Sequence, residues 1–197
     1  IIGAIAAYWH SKQRLKGNGV VSTVMANLGL ERYLETIGLT LARTQVGDRY
    51  VIESMREHGI NLGGEPSGHI IFNDYTTTGD GLIAALQVLA TLIETGKPAS
   101  EVLHPFTPCP QILKNIAYDK QRDNPLAEKS VQQCITNEEQ SLGDKGRILV
   151  RKSGTEPLIR VMVEGEETKM IEASADRICE QISQYTQQDP PATAHAG

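Results

Sequence analysis

Arg147-Ile148-Leu149-Val150-Arg151-Lys152-Ser153-Gly154-Thr155-Glu156-Pro157-Leu158-Ile159-Arg160-Val161-Met162-Val163-Glu164 decides how this chain is read. Ile148 and Val150 alternate with their neighbours before the break, and Ile159, Val161 and Val163 alternate after it, which predicts strand, turn, strand. The turn carries what a doubly charged anion needs. Arg151 offers a planar fork for bidentate contact, Ser153 and Thr155 bring hydroxyl donors, and Gly154 lets a backbone N–H come close. Lys152 and Arg160 add positive potential around the same turn. A β-hairpin with a solvated polar tip could also carry Ser-Gly-Thr. Hydroxyls bracketed by arginines on a rigid two-strand scaffold favour a phosphate site instead.

Working outward, Pro105, Pro108 and Pro110 make a stiff connector over 105–110, read as a hinge between two domains. The second domain, 111–187, opens with a strand near Gln111 to Tyr118. A helix from about Asn124 to Leu142 follows, with Pro125 in its first turn and Gly143 beyond its end. After the hairpin, a final helix places Ile171, Ala175, Ile178, Ile182 and Tyr185 on one stripe that should pack on the sheet. This predicts a smaller α+β domain, a sheet with two helices. The tail 188–197, with Pro190-Pro191 and small residues, is expected to be disordered.

Upstream, residues 1–104 read as an α/β domain in three layers around a mixed sheet. The apolar run Ile1 to Trp9 is too short to span a bilayer and shows no signal-peptide cleavage pattern, so it reads as a helix cut from a longer chain. Val20 to Ala26 is a β-branched strand. Asn27 then caps a helix whose Leu30, Tyr33, Leu34 and Ile37 share a face, ended by Gly38. Leu39 to Arg43 is a second strand, and Asp48 is the expected N-cap of a helix that Gly59 stops. Strands alternating with helices imply crossovers, and ligands in such sheets sit at the carboxyl ends of the strands. Leu82 to Glu94 is apolar nearly all round, interrupted by Gln87 and Thr91, and is expected to lie buried between layers.

Between these elements, Gly63, Gly64 and Gly68 permit a tight loop that displays Glu65, Ser67 and His69 together. An ionised carboxylate only accepts hydrogen bonds, so Glu65 suits two neighbouring sugar hydroxyls, while Ser67 and His69 can each donate or accept. Such a trio reads a polyol. A glycine-rich hairpin with ordinary polar decoration uses the same residues, and that reading stays open.

Composition narrows the partner. A net charge of −5 over 197 residues argues against nucleic acid or an anionic membrane, since either favours a basic surface. Positive charge is therefore local, which points to a small anion. The three cysteines show no Cys-x-x-Cys spacing, so neither a zinc site nor a disulfide framework is suggested, and the sparse count fits a reducing cytoplasm. The five histidines show no His-Glu-x-x-His spacing and suggest no metal site.

Gly-Glu-x-Ser-Gly-His at Gly64 to His69, Thr-Thr-Thr-Gly-Asp-Gly at Thr76 to Gly81 and Arg-x-Ser-Gly-Thr-Glu-Pro-x-x-Arg-Val-Met at Arg151 to Met162 resemble the α-D-phosphohexomutase superfamily. Within it they are most similar to members that interconvert glucosamine 6-phosphate and glucosamine 1-phosphate. Pro66 stands at a variable loop position, and members acting on glucose or mannose phosphates remain an alternative, as does a non-catalytic sugar-phosphate binding module.

The resemblance implies a four-domain enzyme of which this chain matches the third and fourth domains. It puts Glu65 and Ser67, with His69 beside them, on a sugar-binding loop, and Arg151, Ser153, Gly154 and Thr155 on a phosphate-binding loop near Arg160. Asp48 and Arg49, in the Val46-Gly47-Asp48-Arg49 turn, match a further substrate-facing loop. The family's phosphoserine and its Mg²⁺ ligands belong to the first and second domains. No catalytic residue and no metal ligand is therefore assigned to this chain. The full-length enzyme is expected to use Mg²⁺, the phosphoserine and a hexosamine bisphosphate intermediate, and this part alone is expected to have no turnover. The expected partners are a phosphosugar and the N-terminal domains of the same protein, with a homodimer left open. The acidic and the cationic turn are expected to clamp opposite ends of one metabolite.

Overall fold

The computed structural model describes residues 1–119 and 124–187; the tail expected over 188–197 lies outside the described residues. The chain divides into two units, Ile1–Pro108 and Cys109–Gly197.

In the first unit the elements run α1 (Ile2–Ser11), β1 (Gly19–Thr23), α2 (Leu28–Thr36), β2 (Thr40–Thr44), α3 (Asp48–His58), β3 (Leu62–Gly64), β4 (Ile70–Phe72), α4 (Gly81–Thr95) and the short α5 (Ala99–Val102). The sheet order is β2-β1-β3-β4. β1 is parallel to β2 and β3, and β4 returns antiparallel to β3, so the sheet is mixed. Strand alternation sorts the core into two layers. Val20, Leu62, Ile70 and Phe72 pack with Ile5, Trp9, Leu30 and Leu34 of α1 and α2. Val21 and Ile71 face the other way, onto Val51 and Met55 of α3. Helices thus cover both sides, giving the three-layer α/β arrangement.

Local chemistry sets the element boundaries. Asn27 Oδ1 accepts from Gly29 N at 2.8 Å, and Asp80 Oδ1 accepts from Leu82 N and Ile83 N at 2.8 and 3.0 Å, so both helices begin on a side-chain cap. Asp48 does not cap. Gly47 takes the N-cap position at φ 134°, ψ 130°, and Asp48 becomes the first helical residue, its Oδ1 accepting from Arg49 N within the first turn. Only glycine adopts that backbone conformation readily, which moves the boundary by one residue. Gly63 is required for a different reason. A Cβ there would lie 2.5 Å from Met55 Sδ and 2.9 Å from Val51 Cγ1, so α3 seats on β3 because Gly63 presents bare backbone.

α4 departs from the expectation of full burial. Its inner face packs Ile83, Ala84 and Val88 against the core, and Thr91 is buried. Leu82, Leu86, Leu89 and Ile93, on the opposite side, are exposed. The helix is apolar all round, but only one side has a layer to meet among the described residues.

The second unit holds β5 (Gln111–Ala117), a 3-10 turn (Pro125–Ala127), α6 (Lys129–Leu142), a second 3-10 turn (Gly143–Lys145), β6 (Gly146–Lys152), β7 (Leu158–Gly165) and α7 (Thr168–Gln187). The single helix expected from Asn124 is broken, because Glu128 at φ −72°, ψ 131° is extended between the 3-10 turn and α6. The sheet is antiparallel in the order β5-β7-β6. Ile159, Val161 and Val163 of β7 meet Ile171, Ala175, Ile178 and Ile182 of α7 and Val131 of α6, as helix stripe against strand face requires. A charge network ties the two helices together, with Glu138 and Ser174 buried and Arg177 half exposed. Glu138 accepts from Ser174 Oγ at 2.7 Å and from Arg177 Nε and an Arg177 terminal nitrogen at 2.6 Å each.

Phe106, inside the expected connector, stacks on Tyr33 of α2 with ring centroids 5.8 Å apart. Among the described residues no helix is long and apolar enough to cross a membrane.

Candidate functional site

The three parallel strands of the first unit end along one edge, and their connections to the next elements gather there. That is the edge at which open α/β sheets bind ligands. β3 and β4 are joined by a tight loop closed by Glu65 N donating to His69 O at 2.8 Å and Gly68 N donating to Glu65 O at 3.1 Å. Gly68 sits at φ 104°, a conformation that suits glycine. A Cβ on Gly64 would lie 2.3 Å from His69 O, so the loop closes this tightly only on bare backbone.

Glu65, Ser67 and His69 are brought together by this closure. Glu65 Oε2 accepts from Ser67 Oγ at 3.0 Å, and Ser67 Oγ lies 3.2 Å from His69 Nδ1. The hydroxyl has one proton and gives it to the carboxylate, so His69 Nδ1 carries the hydrogen of the second bond and Nε2 is the ring's remaining polar atom. Sequence reasoning missed the other half of the arrangement. Glu65 Oε1 accepts from Gly47 N at 2.7 Å, which joins the hairpin loop to the start of α3. The donor is a backbone N–H, which leaves no signature in the sequence.

Asp48 and Arg49 are exposed beside this contact. Asp48 Oδ1 accepts from Arg49 N at 2.8 Å. Arg49 runs along α3 to Glu53, 3.4 Å away, and lies over the Tyr50 ring at 5.0 Å. Its guanidinium is thus engaged on its own helix and not with Glu65 or Ser67.

In the second unit the β6–β7 hairpin places Arg151 directly across from Arg160. Like charges at directly opposed positions destabilise a sheet by about 0.2–1 kcal/mol, so such a pair calls for an anion. Partial burial first, and then the charge of Arg160, push the Arg151 guanidinium below its ordinary value. Arg160 reaches Glu156 Oε2 at 3.0 Å, while its buried Nε has no hydrogen-bond partner. Glu156 is therefore an internal stand-in for negative charge, a role the sequence reading left unassigned.

Ser153 is 8% exposed and closes the turn, its N donating to Leu158 O at 2.7 Å and its Oγ accepting from Glu156 N at 3.3 Å. The hydroxyl proton remains for a ligand. Gly154 and Thr155 are exposed at the tip, and a Cβ on Gly154 would meet nothing within 4 Å. No protein neighbour therefore demands glycine at this position. Lys152 turns aside, its Nζ 5.2 Å from the Tyr118 ring centroid. Among the described residues no three His, Cys, Asp or Glu side chains gather in a way that could hold a metal ion.

Each of the two units matches a family model. Residues 1–109 match the model for the phosphoglucomutase/phosphomannomutase alpha/beta/alpha domain III, and residues 113–181 match that for the C-terminal domain. The chain belongs to the phosphoglucomutase/phosphomannomutase family. It is 58% identical over 171 residues to a phosphoglucosamine mutase of Parvibaculum lavamentivorans, covering 87% of this chain and 38% of that protein. It is 56% identical over 182 residues to one of Erythrobacter litoralis, covering 92% and 40%. The chain thus spans about two fifths of the length of these relatives.

Among solved structures, Aspergillus fumigatus N-acetylphosphoglucosamine mutase is similar at a TM-score of 0.77 and 22% identity, over 94% of this chain and 43% of that one. The same fungal protein in complex with GlcNAc-6P and magnesium matches at a TM-score of 0.73 and 23% identity, over 94% and 43%. At that identity the likeness establishes the shared fold of this family member.

Proposed function

We propose that this chain is the sugar- and phosphate-holding part of a phosphoglucosamine mutase, an intramolecular phosphotransferase that interconverts glucosamine 6-phosphate and glucosamine 1-phosphate in the cytoplasm. The observation that carries the reading is the opposed pair Arg151 and Arg160 beside the Ser153 turn, in a chain 58% identical to a phosphoglucosamine mutase over this region.

In the longer protein the substrate's free hydroxyl accepts one phosphoryl group from a phosphoserine of another domain, giving a hexosamine bisphosphate. After reorientation the bisphosphate returns its other phosphoryl group to the same serine. The expected Mg²⁺ also belongs to that other part, where it would neutralise developing charge. The residues of this chain hold and orient. Arg151 and Arg160 neutralise the phosphate that is not reacting, Ser153 Oγ–H, Thr155 and the Gly154 backbone donate to its oxygens, and Glu65 with Ser67 and His69 grips sugar hydroxyls. Phosphoryl transfer depends chiefly on such positioning and charge stabilisation. Asp48 and Arg49 border the sugar loop and complete its wall. In this proposal the proline-rich connector 105–110 is the hinge between the two domains.

A glucose or mannose phosphate mutase is the second reading, favoured by the family model that matches the first unit. Turnover by the full reading frame on glucosamine, glucose and mannose 6-phosphates decides between them. A kcat/KM at least tenfold higher for the amino sugar is the expected result, and a preference for glucose or mannose phosphate overturns it. No turnover of any of the three, with phosphosugar binding retained, would identify a binding module.

A further inference from the structure

α4 presents to solvent a face that water-facing helices avoid. Leu82, Leu86, Leu89 and Ile93 are 80%, 62%, 52% and 79% exposed. Their spacing puts them on one stripe about 16 Å long at the rise of an α-helix. Ala85 is exposed alongside, and no Asp, Glu, Lys or Arg occurs from Gly81 to Ile93. Other helices of the chain are built differently. α3 exposes Arg49, Glu53, Arg56 and Glu57, and α7 exposes Glu172, Asp176 and Glu180. An uncharged stripe of large side chains is the pattern of a permanent interface, which resembles a domain core cut in half.

The occupant follows from three observations. The relatives are about two and a half times the length matched here, since the chain covers 38% and 40% of them. The matching models are the third domain and the C-terminal domain, which places other domains ahead of the third. Any preceding segment joins at Ile1, itself 55% exposed, at the head of α1. α1 in turn packs against α4, where Tyr8 Oη donates to Glu94. A domain tethered one helix away meets the stripe at high effective concentration. We propose that the outer face of α4 is the seat of the domain that precedes the third domain in the longer protein, docked through an apolar face of its own. This inference does not depend on which sugar phosphate is the substrate.

Hydrogen exchange over residues 81–95, measured on the 197-residue chain and on the full reading frame that contains it, tests the assignment. Exchange of α4 is expected to slow about tenfold or more in the longer protein. The double variant Leu86→Glu, Ile93→Glu is expected to lower the melting temperature of the longer protein by about 4 °C or more and to leave that of the 197-residue chain within about 1 °C. A milder Leu86→Gln, Ile93→Gln pair gives the same comparison if the charged variant of the longer protein does not fold. Equal exchange and equal melting responses in the two proteins overturn the proposal. So does a reading frame with no segment ahead of Ile1. A third overturning result is a 197-residue chain that sediments as a dimer and is made monomeric by the substitutions, because the occupant is then a second copy.

Discussion

Glu65 is fixed before any ligand arrives, because its Oε1 accepts the Gly47 N–H at 2.7 Å while its Oε2 accepts from Ser67 Oγ at 3.0 Å. Each oxygen keeps acceptor capacity for a sugar hydroxyl, and the two bonds set where that capacity points. Glu65→Gln preserves the shape but replaces one acceptor oxygen by an NH₂ donor. Affinity for glucosamine 6-phosphate is expected to fall about tenfold, in the range for losing one charge-assisted hydrogen bond. Affinity for inorganic phosphate should not change. Calorimetric titration with both ligands checks this, and an equal loss of the two would show that Glu65 does not read hydroxyls.

Gly47→Ala tests the other partner of the same bond. At φ 134°, ψ 130° a side chain is strained, and the new Cβ would also lie 3.3 Å from the Tyr50 ring. The cost in stability is expected to be about 1–3 kcal/mol, read from urea denaturation. If the protein relieves the strain by moving the start of α3, Glu65 loses its anchor and sugar affinity falls while phosphate affinity holds. Unchanged sugar binding in a destabilised variant would limit Gly47 to a structural role.

The opposed arginines make a separate pair of predictions. Arg151→Ala removes one guanidinium and is expected to weaken phosphosugar binding by about 2 kcal/mol, the scale of a hydrogen bond between charged groups. Glu156 pairs with Arg160 at 3.0 Å and is half exposed, so it competes with an incoming phosphate. Glu156→Gln is expected to tighten inorganic phosphate binding by about two- to fivefold, matching the roughly 0.5–1 kcal/mol of an exposed ion pair. Weaker binding in that variant would mean that Glu156 positions Arg160 for the ligand.

Short-range chemistry was legible in the sequence wherever one residue type has one local job. Asn27 announces its helix because it can cap at once, and the β6–β7 hairpin follows from alternation on either side of a polar turn. Asp48 misled because capping residues and first-turn acids look alike until Gly47 takes a conformation that only glycine favours. The outer face of α4 misled for a longer-range reason: an all-apolar helix implies two covered sides, but says nothing of whether the second cover lies within these residues. The Gly47–Glu65 bond was invisible because it uses a backbone donor, and a backbone N–H has no signature in a sequence.

Stability at low pH should depend on Glu138, which is not part of either proposed binding loop. The Arg177 guanidinium, with the Ser174 hydroxyl assisting, holds the Glu138 carboxyl below its ordinary value of 4.5 against the opposing effect of burial. A carboxyl depressed in the folded state binds fewer protons there than in the unfolded chain. Its contribution is therefore complete above the unfolded pKa and is lost as pH falls through the folded one. Glu138→Gln keeps the size and can still accept one hydrogen bond, but leaves the Arg177 charge without its counter-ion. At pH 7 the variant is expected to be about 1–3 kcal/mol less stable, the scale for a hydrogen-bonded charged group. As pH drops below 4.5 the gap between wild type and variant should close, because the wild-type carboxylate takes up the proton that neutralises it. Parallel urea titrations across that range give the measurement. A gap that stays constant down to the lowest pH at which both fold would mean that packing, not charge, is what Glu138 supplies between α6 and α7.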